Sequence, residues 1–150
     1  MDLLIIVNPD KCYIRENGLD KKAVEAALFR ISRLVDESIS LRSTLVYVLP
    51  LGADQKSAYD LAITFGKPII YTRTPGVPYL ESRLLGDYEN IVVVGFATDK
   101  GVVANALALQ ALFSHSKITV YSNCCVGTSK EGHTAALKIL QTCGIEVIQY

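Results

Sequence analysis

Asn90 to Ala106, NIVVVGFATDKGVVANA, decides how this chain folds. Ile91 to Val94 is a continuous apolar run, long enough for a strand and too short for a typical helix. Gly95 breaks the run, Thr98 and Asp99 make a polar turn, and Val102 to Leu112 reads as a helix. Open α/β sheets place their ligand sites where a buried strand turns into a helix, at the carboxyl ends of the strands. Thr98 and Asp99 as caps, with Gly101 beside them, are expected to leave backbone N–H groups facing an anion or oxyanion. The turn holds no cysteine and no serine, so the group that would make it a nucleophilic site is missing.

Working outward, strands and helices alternate. Leu3 to Val7 is a short aliphatic strand ending in the turn signal Asn8-Pro9-Asp10, and a polar loop runs to about Gly18. Asp20 is a candidate N-cap for a helix with apolar residues at 23, 24, 27, 28, 31, 34 and 35. Ser43 to Leu49 is the second strand, and Asp54 caps a helix to about Phe65, closed by Gly66. Pro68 leads into a third strand, Ile69 to Tyr71; Thr72 to Pro78 is a loop and Tyr79 to Leu85 a short helical segment. After the opening stretch come a fifth strand at Lys117 to Ser122 and a helix from Lys130 to Cys143 with Gly144 beyond it. A sixth strand, Glu146 to Gln149, follows. The alternation predicts one domain over residues 1–150: a Rossmann-like α/β three-layer sandwich, its six-stranded, mostly parallel sheet covered on both faces.

Composition narrows the functions. Half of the 150 residues are apolar, and 15 basic residues balance 15 acidic ones. No basic cluster recommends a nucleic acid or an anionic membrane. No apolar run nears the roughly 20 residues of a membrane span. The start, MDLLIIVNPD, lacks a basic n-region, so a cytoplasmic location is expected. Zero formal charge favours self-association, and a homo-oligomer, dimer or higher, is expected. There is no GxGxxG after the first strand and no GxxxxGK[ST], so no dinucleotide or nucleotide cofactor is expected. Cys12, Cys124, Cys125 and Cys143 show no zinc spacing and read as buried reduced thiols. His115 and His133 are too far apart in sequence to make a ligand pair, and no metal is expected.

GFATDKGVVANALAL resembles the G-V-x-T-x-x-C-V-x-x-T-A-x-x-A stretch of the isochorismatase-like cysteine hydrolases, the family that includes nicotinamidases. CVGTSKEGHTAAL, further on, is similar to the family stretch ending in a histidine followed by small apolar residues. The resemblance implies a parallel six-stranded α/β sandwich and an intramolecular triad. In it a cysteine at the start of the central helix attacks, an aspartate after the first strand is base, and a lysine after the third strand lowers the thiol pKa. Carried over by position, the aspartate falls on Asn8, the lysine on Arg73 (set by Tyr79 and Ser82 as the family's aromatic and threonine), and the cysteine on Gly101. Glycine has no nucleophile, asparagine no basic site near neutral pH, and arginine keeps its proton.

Three replacements at once imply a pseudoenzyme, a small-ligand-binding or interaction module rather than an enzyme. A remnant pocket is expected from Asn8, Arg73, Tyr79, Ala97, Thr98 and Gly101, with Tyr13 a further aromatic candidate. Arg73 favours a small anionic ligand. The alternative is an active hydrolase of C–N or ether bonds with Cys12 as relocated nucleophile and Asp10 or Asp99 as base; a third is a structural subunit packing through its Val102–Leu112 helix. The metal ligands of nicotinamidases would fall in VLPLGADQKSAY, which offers Asp54 and no histidine. The resemblance also places a cis peptide at Phe96–Ala97.

Overall fold

A computed structural model describes residues 1–54, 58–59, 69–72 and 86–150. Six strands form one parallel sheet in the order β3-β2-β1-β4-β5-β6. They are β1 (Leu3–Val7), β2 (Thr44–Pro50), β3 (Ile69–Thr72), β4 (Asn90–Phe96), β5 (Lys117–Val126) and β6 (Glu146–Ile148). The helices are α1 (Lys11–Glu16), α2 (Lys21–Ser40), α3 (Val103–Leu112) and α4 (Lys130–Thr142). The expected helix from Asp54 to Phe65, with Gly66 and Pro68, and the loop and helical segment from 73 to 85 lie outside the described residues. The six-stranded α/β architecture is the expected one.

Chain direction explains where the site falls. β1 pairs with β2 on one side and β4 on the other, Val7 facing both Val48 and Gly95. The order reverses between β1 and β4, the switch point at which such sheets open a crevice. β1 is sealed on both faces, every residue from Leu3 to Val7 having no exposed surface, which is why its sequence is an unbroken aliphatic run. α2 turns Val24, Ala27, Ile31, Leu34 and Val35 onto the sheet, as its spacing foretold, and Asp20 caps it by accepting from Ala23 N at 2.8 Å.

Several expectations are corrected. The polar loop after Asp10 contains helix α1, started by the Asp10 carboxylate accepting from Tyr13 N at 2.7 Å. That segment is too short and polar for periodicity to reveal it. Gly95 does not end β4: it continues to Phe96 with Gly95 at φ +124°, the pairing with β5 shifting register between Val93 and Gly95. A Cβ at Gly95 would meet Val7 N at 2.8 Å and the Val7 carbonyl more closely still, so only glycine permits this approach. β5 runs past Ser122 to Val126, because Cys124 and Cys125 are buried strand residues. All four cysteines are free, but only those two are buried; Cys143 is exposed and Cys12 intermediate. Burial raises the Cys124 thiol pKa to about 12, against a lowering by Arg30, and raises that of Cys125 as well. Among the described residues no helix is long and apolar enough to cross a membrane.

Candidate functional site

The site forms where β1 and β4 end. Asn8 leaves β1 in the left-handed region, φ +49°, a conformation asparagine tolerates better than most side chains. Its backbone N–H donates to Val48 O at 2.7 Å, which fixes the side chain beneath the β4 turn. Asn8 is buried, and its Oδ1 has no partner among the described residues. Across from it lies Gly101. A Cβ built there would stand 2.7 Å from Asn8 Nδ2, 2.8 Å from Val7 Cγ1 and 3.2 Å from Phe96 O. The structure therefore brings together the two positions that the sequence paired, and the Asn8 amide fills the room a side chain at 101 would need.

Tyr13, on α1, closes the same corner. Burial raises its phenol pKa, partly offset by hydrogen bonds from the Ala97 backbone and the Asn8 side chain, while the Asp99 charge adds to the rise. The Phe96–Ala97 peptide is cis.

The turn itself differs from the expected capped helix start. Thr98–Val102 is a π-helical turn with no side-chain cap, and Lys100 N and Val102 N both donate to Ala97 O at 3.1 Å. Two of the N–H groups expected to face an anion are thus used within the turn. Asn105 Nδ2 donates to Gly101 O at 2.6 Å, and Lys100 Nζ to Asn17 Oδ1 at 2.6 Å. Thr98 and Asp99 point instead to α4. Thr98 Oγ1 bonds His133 Nδ1 at 2.8 Å, and the Asp99 carboxylate accepts from Thr128 N at 2.8 Å and from Thr128 Oγ1. Burial alone would raise the Asp99 pKa, but the Thr128 hydrogen bonds and Lys100 hold it below the usual carboxylate value. Burial depresses the His133 pKa, with Asp99 opposing. This clasp escaped the sequence reading; polar Asn105, four residues after Gly101, was a visible signal only of its own bond to the turn.

A cavity of about 620 Å³ opens beside the clasp, lined by Asp20, Cys125, Thr128, Lys130 and His133 among others. Asn8, Ala97, Thr98 and Gly101 do not line it. Cys12 sits on the first turn of α1 with Arg15 Nη2 3.8 Å from its sulfur. The two bases considered for it are committed elsewhere, Asp10 to the α1 cap and Asp99 to Thr128. Arg73, Tyr79 and Ser82 lie outside the described residues. No three His, Cys, Asp or Glu side chains gather among the described residues. Of the two histidines, exposed His115 lies in the turn after α3, and His133 bonds Thr98.

The isochorismatase domain family model matches residues 78–150, the stretch that carries the β4 turn and α4. Over that stretch the chain is similar to the isochorismatase domain. Its fold agrees over nearly its whole length with solved structures of low sequence identity. One is a putative isochorismatase hydrolase from Oleispira antarctica, at TM-score 0.80 and 18% identity, covering 98% of this chain and 92% of that one. Another is the nicotinamidase SaPncA from Staphylococcus aureus, at 0.80 and 18%, covering 99% and 97%. A third is the MAR1 ribonuclease from Caenorhabditis elegans, at 0.79 and 14%, covering 98% and 76%. Comparison with curated protein sequences gave no match. Proteins named for different activities share this isochorismatase-like fold, so function has to be argued from the site.

Proposed function

We propose that this isochorismatase-like chain is non-catalytic and binds a small anionic molecule at the ends of β1 and β4. One observation carries the reading: the place of the family nucleophile is a glycine whose side-chain room is taken by the Asn8 amide, 2.7 Å from the missing Cβ. An amide cannot take a proton near neutral pH, so no thiol or water is activated from Asn8. By the resemblance Arg73 takes the place of the family lysine and would supply the charge that holds a carboxylate, and the buried Asn8 amide adds a hydrogen-bond donor.

Two measurements test it together. A panel of primary amides and isochorismate-like vinyl ethers is expected to show no turnover. Small carboxylates are expected to raise the melting temperature of the wild type and not that of Arg73→Ala. Turnover abolished by Cys12→Ala would overturn the proposal in favour of a relocated nucleophile, for which the Arg15 guanidinium beside Cys12 is the one supporting contact. A carboxylate shift that persists in Arg73→Ala would overturn the binding mode.

A further inference from the structure

α2 carries a charge pattern of which its own fold uses Glu37, bonded by the Tyr150 hydroxyl. Phe29 stands in the middle of its outer face and is 68% exposed, the most exposed large hydrophobic residue among those described. Counting from Phe29, the residues at −8, −7 and −4 are Lys21, Lys22 and Glu25, and those at +8, +7 and +4 are Glu37, Asp36 and Arg33. All six are exposed, and offsets of four, seven and eight residues keep them on the face of Phe29. Every offset pairs opposite signs. Such a helix face is complementary to itself when turned end for end, the condition a two-fold interface imposes.

The surface continues beyond α2. A groove of about 570 Å³ runs from Ala26, Phe29 and Arg33 to Tyr150. Tyr150 is tied to α2 by its hydroxyl, which donates to Glu37 Oε2 at 3.1 Å, and to β5 by its N–H, which donates to Asn123 Oδ1 at 2.9 Å. Next to it β6 ends the sheet, and no described strand pairs with its outer side. Sheet edges are usually blunted by lysine, proline or a bulge. Glu146–Tyr150, EVIQY, has neither lysine nor proline, and its one charged side chain is turned back to Lys117 at 2.9 Å. Ile148 is 44% exposed at this edge.

We infer that the outer face of α2, with the adjoining β6 edge, is a two-fold interface between two copies of this chain. The helices lie antiparallel, the Phe29 rings meet at the axis, and Lys22 and Glu25 face Asp36 and Arg33 of the second copy. The occupant is a second copy because the pattern matches its own reverse at all three offsets. A zero formal net charge sets no long-range repulsion against it.

Light scattering on a sizing column tests this, with circular dichroism confirming that each variant is folded. The wild type at micromolar concentration is expected at twice 16.4 kDa, and Phe29→Glu at 16.4 kDa. Lys22→Glu and Asp36→Lys each place like charges across the axis and are expected to raise the dimer dissociation constant about tenfold. The double variant K22E/D36K restores opposite charges and is expected to return the wild-type constant. A monomeric wild type, a dimer untouched by Phe29→Glu, or a double variant as weak as the singles would each overturn the inference.

Discussion

Gly101 and Asn8 form one steric unit where β1 and β4 end. The Asn8 amide sits where a side chain at 101 would begin, and the Val7 methyl closes the other side. Overpacking of this kind costs about 1–3 kcal/mol. Gly101→Ala is therefore expected to lower the unfolding free energy by that amount, read from the urea transition. Asn8→Gly keeps the left-handed backbone without strain and removes the nearest atom, so Gly101→Ala should cost less in that background. A coupling of at least about 0.5 kcal/mol in the double-mutant cycle is the expected result. Strict additivity would show that the two residues do not compete for the same space. The coupling also bears on function, since Gly101→Cys alone would place a sulfur against an amide that can neither move aside freely nor accept its proton.

At the scale of elements, the β4–α3 turn is held by a clasp to α4 whose two titrating members respond to acid in the same direction. The folded His133 pKa lies below its ordinary value of about 6.5, so as pH falls through that value the unfolded chain binds the proton first and stability drops. Asp99 is also depressed; its contribution is present above about pH 4 and is lost as pH falls further, through its folded pKa. The urea midpoint should therefore fall in two limbs, the first below neutral pH and the second below about pH 4. His133→Gln, which keeps a partner for Thr98, is expected to flatten the first limb, and Asp99→Asn the second. An unchanged first limb in His133→Gln would assign it to another group.

The same elements show what the sequence could tell. β1 and β4 were legible because strands buried on both faces must be aliphatic throughout, and α2 because its Val24, Ile31 and Val35 repeat at helical spacing. α1 was hidden because Asn8-Pro9-Asp10 is as good a turn as it is a helix cap. The reach of β5 was hidden because Ser122 and Asn123 look like a strand exit; both side chains instead bond the backbone of residues 148–150. Positions 8 and 101 were paired only through the resemblance, and their mutual contact needed coordinates. The engagement of Asp99 with Thr128, 29 residues away, left no local trace in either segment.

For the molecule as a whole, the Cys124 thiol of β5 offers a probe of global opening. One cluster joins β1, β2, β4, β5, α2 and α3 residues, and Cys124 and Cys125 are part of it. Cys125 lines the open cavity, but reaching the fully buried Cys124 sulfur means parting β5 from the helices over it, which leaves little of that cluster intact, so its exposure and unfolding should be a single event. Burial adds a chemical barrier, since a thiol with pKa near 12 is almost all protonated at neutral pH and only the thiolate reacts quickly. Native protein treated with a thiol reagent should therefore label Cys143 and Cys12 first, and Cys124 at a rate set by unfolding. Gly95→Ala, which drives a methyl into the Val7 backbone, should destabilise by about 3 kcal/mol or more. It should speed labelling of Cys124 by the factor that urea unfolding gives for the equilibrium, and leave the Cys143 rate alone. Equal acceleration at all four thiols, or rapid labelling of Cys124 in the wild type, would mean that β5 opens locally and that its edge is held less firmly than the core it belongs to.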